Sequence, residues 1–197
     1  MPYSLDPLQY NCYPDTAVLI NRFDIRNEKE LEQIEADITK LRINQWAINP
    51  LSCSFDFEYY KAIHAYLFGD LYDWAGQIRT VNISKRGTVF CPAEKIETQA
   101  ELIFARLKRQ NYFKGFSKKK FINEFVDFYC VTNNLHPFRE GNGRTQRVFL
   151  AQLADQAGYE LNYSELDVDF LMLATIQASQ GVTDLLRQIF METIRKA

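Results

Sequence analysis

The chain has 197 residues, 47% of them hydrophobic, enough for one well-buried core and short for two independent domains. Its 23 basic and 25 acidic side chains leave a net charge of −2, so the cationic signature of a nucleic-acid binder is missing. No apolar run approaches ~18–20 residues, no basic stretch leads into an apolar one at the N-terminus, and Cys12, Cys53, Cys91 and Cys130 are scattered without a Cys-x-x-Cys pair. Membrane, zinc and disulfide-framework classes are set aside, and a cytoplasmic protein with reduced thiols is expected.

Helical spacing dominates. After a polar arm rich in Tyr and Pro, Asn27 is placed to cap a helix in which Leu31, Ile34, Ile38 and Leu41 recur. A second helix is expected from near Ser54, with Phe55, Tyr59, Ile63, Tyr66 and Leu67, ending at Gly69. His64 on that helix has no carboxylate or cysteine cluster beside it in sequence and reads as an ordinary histidine. Residues 78–92 break the pattern. Val81 and Ile83 alternate with Thr80 and Asn82, Lys85-Arg86-Gly87 signals a turn, and Thr88-Val89-Phe90 follows, which predicts a short β-hairpin. An isolated hairpin is marginal on its own and leans on its neighbours. Its residues alone are compatible with a plain surface hairpin or with an edge that pairs with an extended partner segment. Further helices carry Ile96, Ala100, Ile103, Phe104 and Leu107, then Phe121, Phe125, Phe128 and Tyr129 behind a Ser117 cap.

Residues 136–147 read His-Pro-Phe-Arg-Glu-Gly-Asn-Gly-Arg-Thr-Gln-Arg. Pro137 stops the preceding helix and biases His136 away from the α region, so the imidazole is expected at an accessible loop mouth, with a pKa near ~6.5 that suits a general base. Gly141 and Gly143 permit positive φ and close backbone approach, and Asn142 between them offers an amide donor to the same anion nest. The helix they open points unpaired N–H groups at an anion. Arg144 and Arg147, three residues apart, can face one phosphate tail. Glu140 is the kind of single carboxylate that Mg²⁺ uses beside substrate phosphates. This set points to phosphoryl-type transfer.

The segment resembles the Fic motif, His-x-Phe-x-Asp/Glu-Gly-Asn-Gly-Arg-x-x-Arg, at every defined position. The likeness extends to Asp73-Trp74-Ala75-Gly76-Gln77-Ile78-Arg79 and to Ala157-Gly158-Tyr159. It implies an all-α Fic-fold bundle spanning residues 1–197 as one domain, with an arm over 1–26, a hairpin flap over about 78–92 and the active-site loop at 136–147. It also implies an enzyme that transfers AMP from ATP to a Ser, Thr or Tyr hydroxyl of a target protein and releases pyrophosphate. In that scheme His136 is the base and Glu140 holds Mg²⁺. Gly141, Asn142 and Gly143 form the anion hole, while Arg144 and Arg147 grip the terminal phosphates. Phe138 and Asn133 anchor the loop, and flap residues Lys85, Gly87, Thr88, Val89 and Phe90 dock the target. Arg144 argues against the phosphorylating relative, which carries Lys there.

Val148 to Ala157 continues as an apolar helix ended by Gly158. Met172, Thr175 and Ser179 then share a helix face that the resemblance places beside the nucleoside, with core packing an equal reading for Met172. Thr183 is placed to cap a last helix with Leu186, Ile189, Phe190 and Ile194. Many Fic proteins carry an inhibitory Ser/Thr-x-x-x-Glu-Gly/Asn helix. Ser54 and Glu58 have its spacing but Tyr59 follows, so the match reads as coincidence. The resemblance therefore implies a toxin–antitoxin pair in which a separate antitoxin brings that glutamate to Arg147. Alternatives are another donor (UTP, GTP or CDP-choline) or a nucleotide-binding module without turnover.

Overall fold

The computed structural model describes residues 4–5, 10–50, 54–85 and 87–197; Cys53, Arg86 and much of the expected arm lie outside the described residues. Helix α1 (Glu28–Ile48) begins where Asn27 accepts the Glu30 N–H at 3.1 Å, and Glu28 and Glu30 suit the positive end of its dipole. Its buried side carries Leu31, Glu35, Thr39 and Trp46. Leu41, expected on that face, is 56% exposed, because ten positions beyond Leu31 turn it about 80° off at 3.6 residues per turn.

Helix α2 (Phe57–Phe68) starts three residues later than expected: Asp56 caps it by accepting the Tyr59 N–H at 2.8 Å, and Phe55 stands outside with φ +48°. Helices α3 (Ile96–Arg109) and α4 (Lys118–Leu135) follow, then α5 (Asn142–Gln156), which stops before Gly158 at φ +83°. Ser117 occupies the cap position of α4, yet its side chain makes no capping bond. Helix α6 (Val168–Ser179) is capped by Asp167, which accepts from the Asp169 and Phe170 N–H groups. Before α7 (Asp184–Thr193), Thr183 does not cap; its hydroxyl takes the Arg187 Nε–H instead, at 3.3 Å. Ile194 lies past the helix and is fully buried.

The architecture is all-α with two small sheets among the described residues. Helix α4 packs against α3, α5, α6 and α7, while α2 lies between α1 and α5. Phe149 on α5 sits within ring contact of Tyr60, Phe104, Phe128 and Phe55, at centroid distances of 5.4 to 5.9 Å. Interlocked aromatic burial of this kind makes the α4–α5 connection a fixed platform.

Strands β2 (Ile83–Lys85) and β3 (Thr88–Val89) form the expected antiparallel hairpin, Ser84 opposite Val89 and Lys85 opposite Thr88. The hairpin is not two-stranded. Strand β1 (Ser4–Leu5) of the N-terminal arm pairs with the other edge of β2, giving the order β1-β2-β3. Ile83 and Phe90, with Val81 against them, form a small apolar cluster of their own beneath it. Near the C-terminus β4 (Tyr159–Glu160) and β5 (Arg195–Lys196) pair antiparallel.

Candidate active site

Helix α4 ends at Leu135, and His136 turns the chain out of it with φ +42° and ψ +59°. The proline that follows disfavours the right-handed α region for His136, which accounts for the exit. The expected open loop mouth is not what forms. His136 is 8% exposed because the flap ring of Phe90 stacks on its imidazole, centroids 3.7 Å apart and planes 13° apart. Its Nδ1 lies 3.0 Å from the Asn133 carbonyl, which can only accept, so Nδ1 carries the proton and Nε2 is the basic nitrogen of the ring. Burial pushes its pKa down to about 3; the nearby Arg79 and Lys85 charges add to this, and the Asn133 bond opposes it. The imidazole is neutral at physiological pH. Asn133 thus acts on the loop through its backbone carbonyl, and the residue also lines the cavity.

The rest of the loop is braced from inside. Phe138 is fully buried and stacks on His64 at 3.8 Å. Asn142 accepts the Phe138 N–H and donates to the Phe138 carbonyl, both at 2.8 Å. Its amide is engaged within the loop and does not face the cavity as a donor, contrary to the sequence expectation. Gly141 has φ +78°, and a Cβ there would come within 2.3 Å of the Phe68 ring, so glycine is required twice over. Gly143 is helical and needs no positive φ; a Cβ on it would touch Arg147 at 3.5 Å.

A cavity of ≈ 370 Å³ brings together His136, Glu140, Gly141, Gly143, Arg144 and Arg147 from the motif. Lys85, Thr88 and Phe90 of the flap close one side, and Met172, Thr175 and Ser179 of α6 form another. Thr88 Oγ1 lies 3.3 Å from Ser179 Oγ, so flap and α6 meet over the cavity. Gly87 makes the hairpin turn at φ +79° and Val89 is 74% exposed; neither lines it. Glu140 Oε1 accepts the Gly141 N–H at 2.9 Å and stands 3.8 Å from Arg144. Burial lowers the pKa of Arg147, with Tyr163 and Tyr129 near it, and among the described residues no carboxylate pairs with it. Arg144 differs: Glu35 and Thr39 of α1 both take its N–H groups.

Three supporting residues escaped the sequence reading. His64 is buried, accepts the Gly76 N–H on Nδ1 at 2.8 Å and donates from Nε2 to the Glu140 carbonyl at 3.0 Å, which fixes the opposite tautomer to that of His136. Nothing local in sequence marks it. Arg79 is buried and donates to the carbonyls of His136 at 2.8 Å, Val81 at 2.7 Å and Cys91 at 2.5 Å, tying the flap stem to the loop. Its signal was the 73–79 segment, where Gly76 has φ +82° and a Cβ on it would come within 2.9 Å of Ala65. Glu35 had no signal beyond being acidic on a buried face. Glu58, whose spacing from Ser54 mimicked an inhibitory pattern, is exposed and pairs with Lys61 at 2.8 Å.

The Fic/DOC family profile matches residues 54–154. The chain is 40% identical over 178 residues to the "Probable protein adenylyltransferase y4lH" of Sinorhizobium fredii, covering 89% of each chain. It is 34% identical to the "Probable protein adenylyltransferase Fic" of Escherichia coli K12, covering 94% of this chain and 92% of that one. Among solved structures it is similar to the N-terminal Fic domain of a VirB-translocated Bep effector from Bartonella quintana with bound ADP, at TM-score 0.88 and 25% identity, covering 94% of both chains.

Proposed function

This chain belongs to the Fic/DOC family, and we propose that it is a protein adenylyltransferase, moving AMP from ATP to a hydroxyl of a target protein. The observation that carries the reading is the cavity that His136 shares with Glu140 and Arg147, where the Asn133 carbonyl fixes the proton on Nδ1 of His136 and so makes Nε2 the ring's basic nitrogen. His136 Nε2 takes the proton of a Ser, Thr or Tyr hydroxyl as its oxygen bonds to the α-phosphorus. The bond from that phosphorus to the bridging oxygen breaks, and pyrophosphate leaves. The neutral imidazole can accept that proton; burial that holds its pKa at about 3 makes it a weak base in the empty cavity, and the negative phosphates of a bound nucleotide raise that pKa towards the working range.

Arg147 faces the terminal phosphates, and its desolvated charge, which no carboxylate pairs among the described residues, is the complement of a bound polyanion. The first N–H groups of α5, from Asn142, Gly143 and Arg144, lack intrahelical acceptors by position and line up behind the same phosphates. Glu140 offers one carboxylate to the cavity and would hold Mg²⁺, which would supply shielding of the phosphate charge. The nucleoside lies along α6 at Met172, Thr175 and Ser179. A target segment adds to the edge of β3 at Thr88 and Val89, since β1 covers the far edge of β2. Residues 1–197 act as one Fic domain in the cytoplasm, and a small antitoxin silences it by placing a glutamate on Arg147.

The test is labelling of a lysate with α-³²P-ATP and Mg²⁺ by the parent chain and by His136→Ala. Labelled bands that fall by on the order of 10²-fold or more in the variant support the assignment, given the usual contribution of a general base. Equal labelling by both overturns the role of His136. Label from UTP, GTP or CDP-choline alone moves the donor, and nucleotide binding without label leaves a binding module.

A further inference from the structure

We propose that Glu35 on α1, 109 residues from its partner in sequence, is the positioning residue that fixes the Arg144 guanidinium at the wall of the cavity. The inference rests on reading that cavity as a nucleotide-phosphate site. Arg144 stands in the first turn of α5, where the positive helix end repels a cation and a long flexible side chain has many rotamers to choose from. It is nevertheless held on several sides. Glu35 Oε1 accepts from Nη2, Thr39 Oγ1 accepts from Nη1 at 3.2 Å, and the Phe68 ring lies 4.8 Å from Cζ.

The carboxylate that holds it is itself held. Tyr72 donates its hydroxyl to Glu35 Oε2, and Tyr72 is buried and stacked on Trp74 at 4.4 Å. Both oxygens of Glu35 therefore have donors, and its position is fixed by two elements, α1 and the segment after α2. A buried ion pair is weak as a stabilising device, since apolar side chains of similar volume serve as well or better, so its use here points to orientation. Glu35 is not a stand-in for phosphate either: Arg144 lines the cavity and Glu35 does not. Glu35 therefore holds Arg144 from outside the cavity lining to which Arg144 belongs. Thr39, one turn further along α1, shares the task.

The experiment places Glu35→Ala and Glu35→Gln in the full chain and again in an Arg144→Ala background, reading ADP affinity by calorimetry and kcat and KM for ATP in transfer. Misplacing one binding group by an ångström costs up to about 10²-fold. Glu35→Ala is expected to weaken ADP binding and raise KM roughly 10–100-fold, at the scale of such a misplacement. Glu35→Gln, whose amide oxygen still accepts from Arg144, is expected to recover most of it. In the Arg144→Ala background neither substitution should have an effect. Unchanged or tighter ADP binding in Glu35→Ala overturns the proposal, as does an equal loss without Arg144. Should Glu35→Ala fail to fold, Thr39→Val carries the same comparison: a loss of ADP affinity that vanishes in Arg144→Ala supports the proposal, and no loss overturns it. A parent chain that binds ADP but transfers nothing would sink adenylylation while leaving this test intact.

Discussion

His136 and His64 are both buried, neutral imidazoles, yet their protons sit on opposite ring nitrogens because their backbone partners differ. A carbonyl faces Nδ1 of His136 and an N–H faces Nδ1 of His64. The first arrangement leaves a base, and the second leaves a strut between Gly76 and Glu140. Replacing His64 by Phe keeps a ring between Phe68 and Phe138 but strands the Gly76 N–H and the Glu140 carbonyl in a dry site. Each unsatisfied group costs about 1–3 kcal/mol. A fall in melting temperature of at least about 5 °C is expected for a chain of this length, read by calorimetry. An unchanged melting temperature would mean that His64 only fills space.

At the scale of elements, the flap shows what a sequence pattern carries and what it omits. The strand at Ile83 and the turn at Lys85 and Gly87 were legible because a strand's period and a glycine at positive φ are local properties, whereas Val81, read into the same alternation, lies before β2 begins. Strand β1 was not, since two residues in a Tyr- and Pro-rich arm carry no period and pair only because β2 offers an edge. The caps divide in the same way. Asn27 works as read, whereas Ser117 and Thr183 stand at the right positions with their side chains turned to other uses or none. The 136–147 loop was legible almost residue by residue, but its supports lie on α1, α2 and the segment before the flap, joined to it only by tertiary contact. Arg79 is the clearest of these, because three of its nitrogens reach carbonyls on both sides of the flap stem. A lysine has one nitrogen and cannot span them. Arg79→Lys should therefore speed amide exchange across residues 83–90 and lower kcat/KM for the target more than affinity for ADP. Unaltered exchange in the flap would count against the clamp.

For the molecule as a whole, the same two histidines, which are all the chain contains, tie stability to acidity. Burial first, then nearby arginine charge, pushes each from an ordinary value of 6.5 down to about 3 in the folded protein. The unfolded chain takes up two protons as pH falls below 6.5, and the folded chain refuses them until about 3. Their contribution to folding is therefore fully present above 6.5 and is lost as pH falls from there towards about 3. Most carboxylates stay ionised above about pH 5, so the histidine contribution can be read separately between pH 7.5 and 5.5. Two protons over that interval correspond to roughly 3 kcal/mol of lost stability, measurable by urea denaturation at the two pH values. His64→Phe should halve that difference, because one of the two sites is gone. A parent chain equally stable at both pH values would mean that the two rings ionise in the fold as readily as in the unfolded chain, and that burial does not hold them neutral.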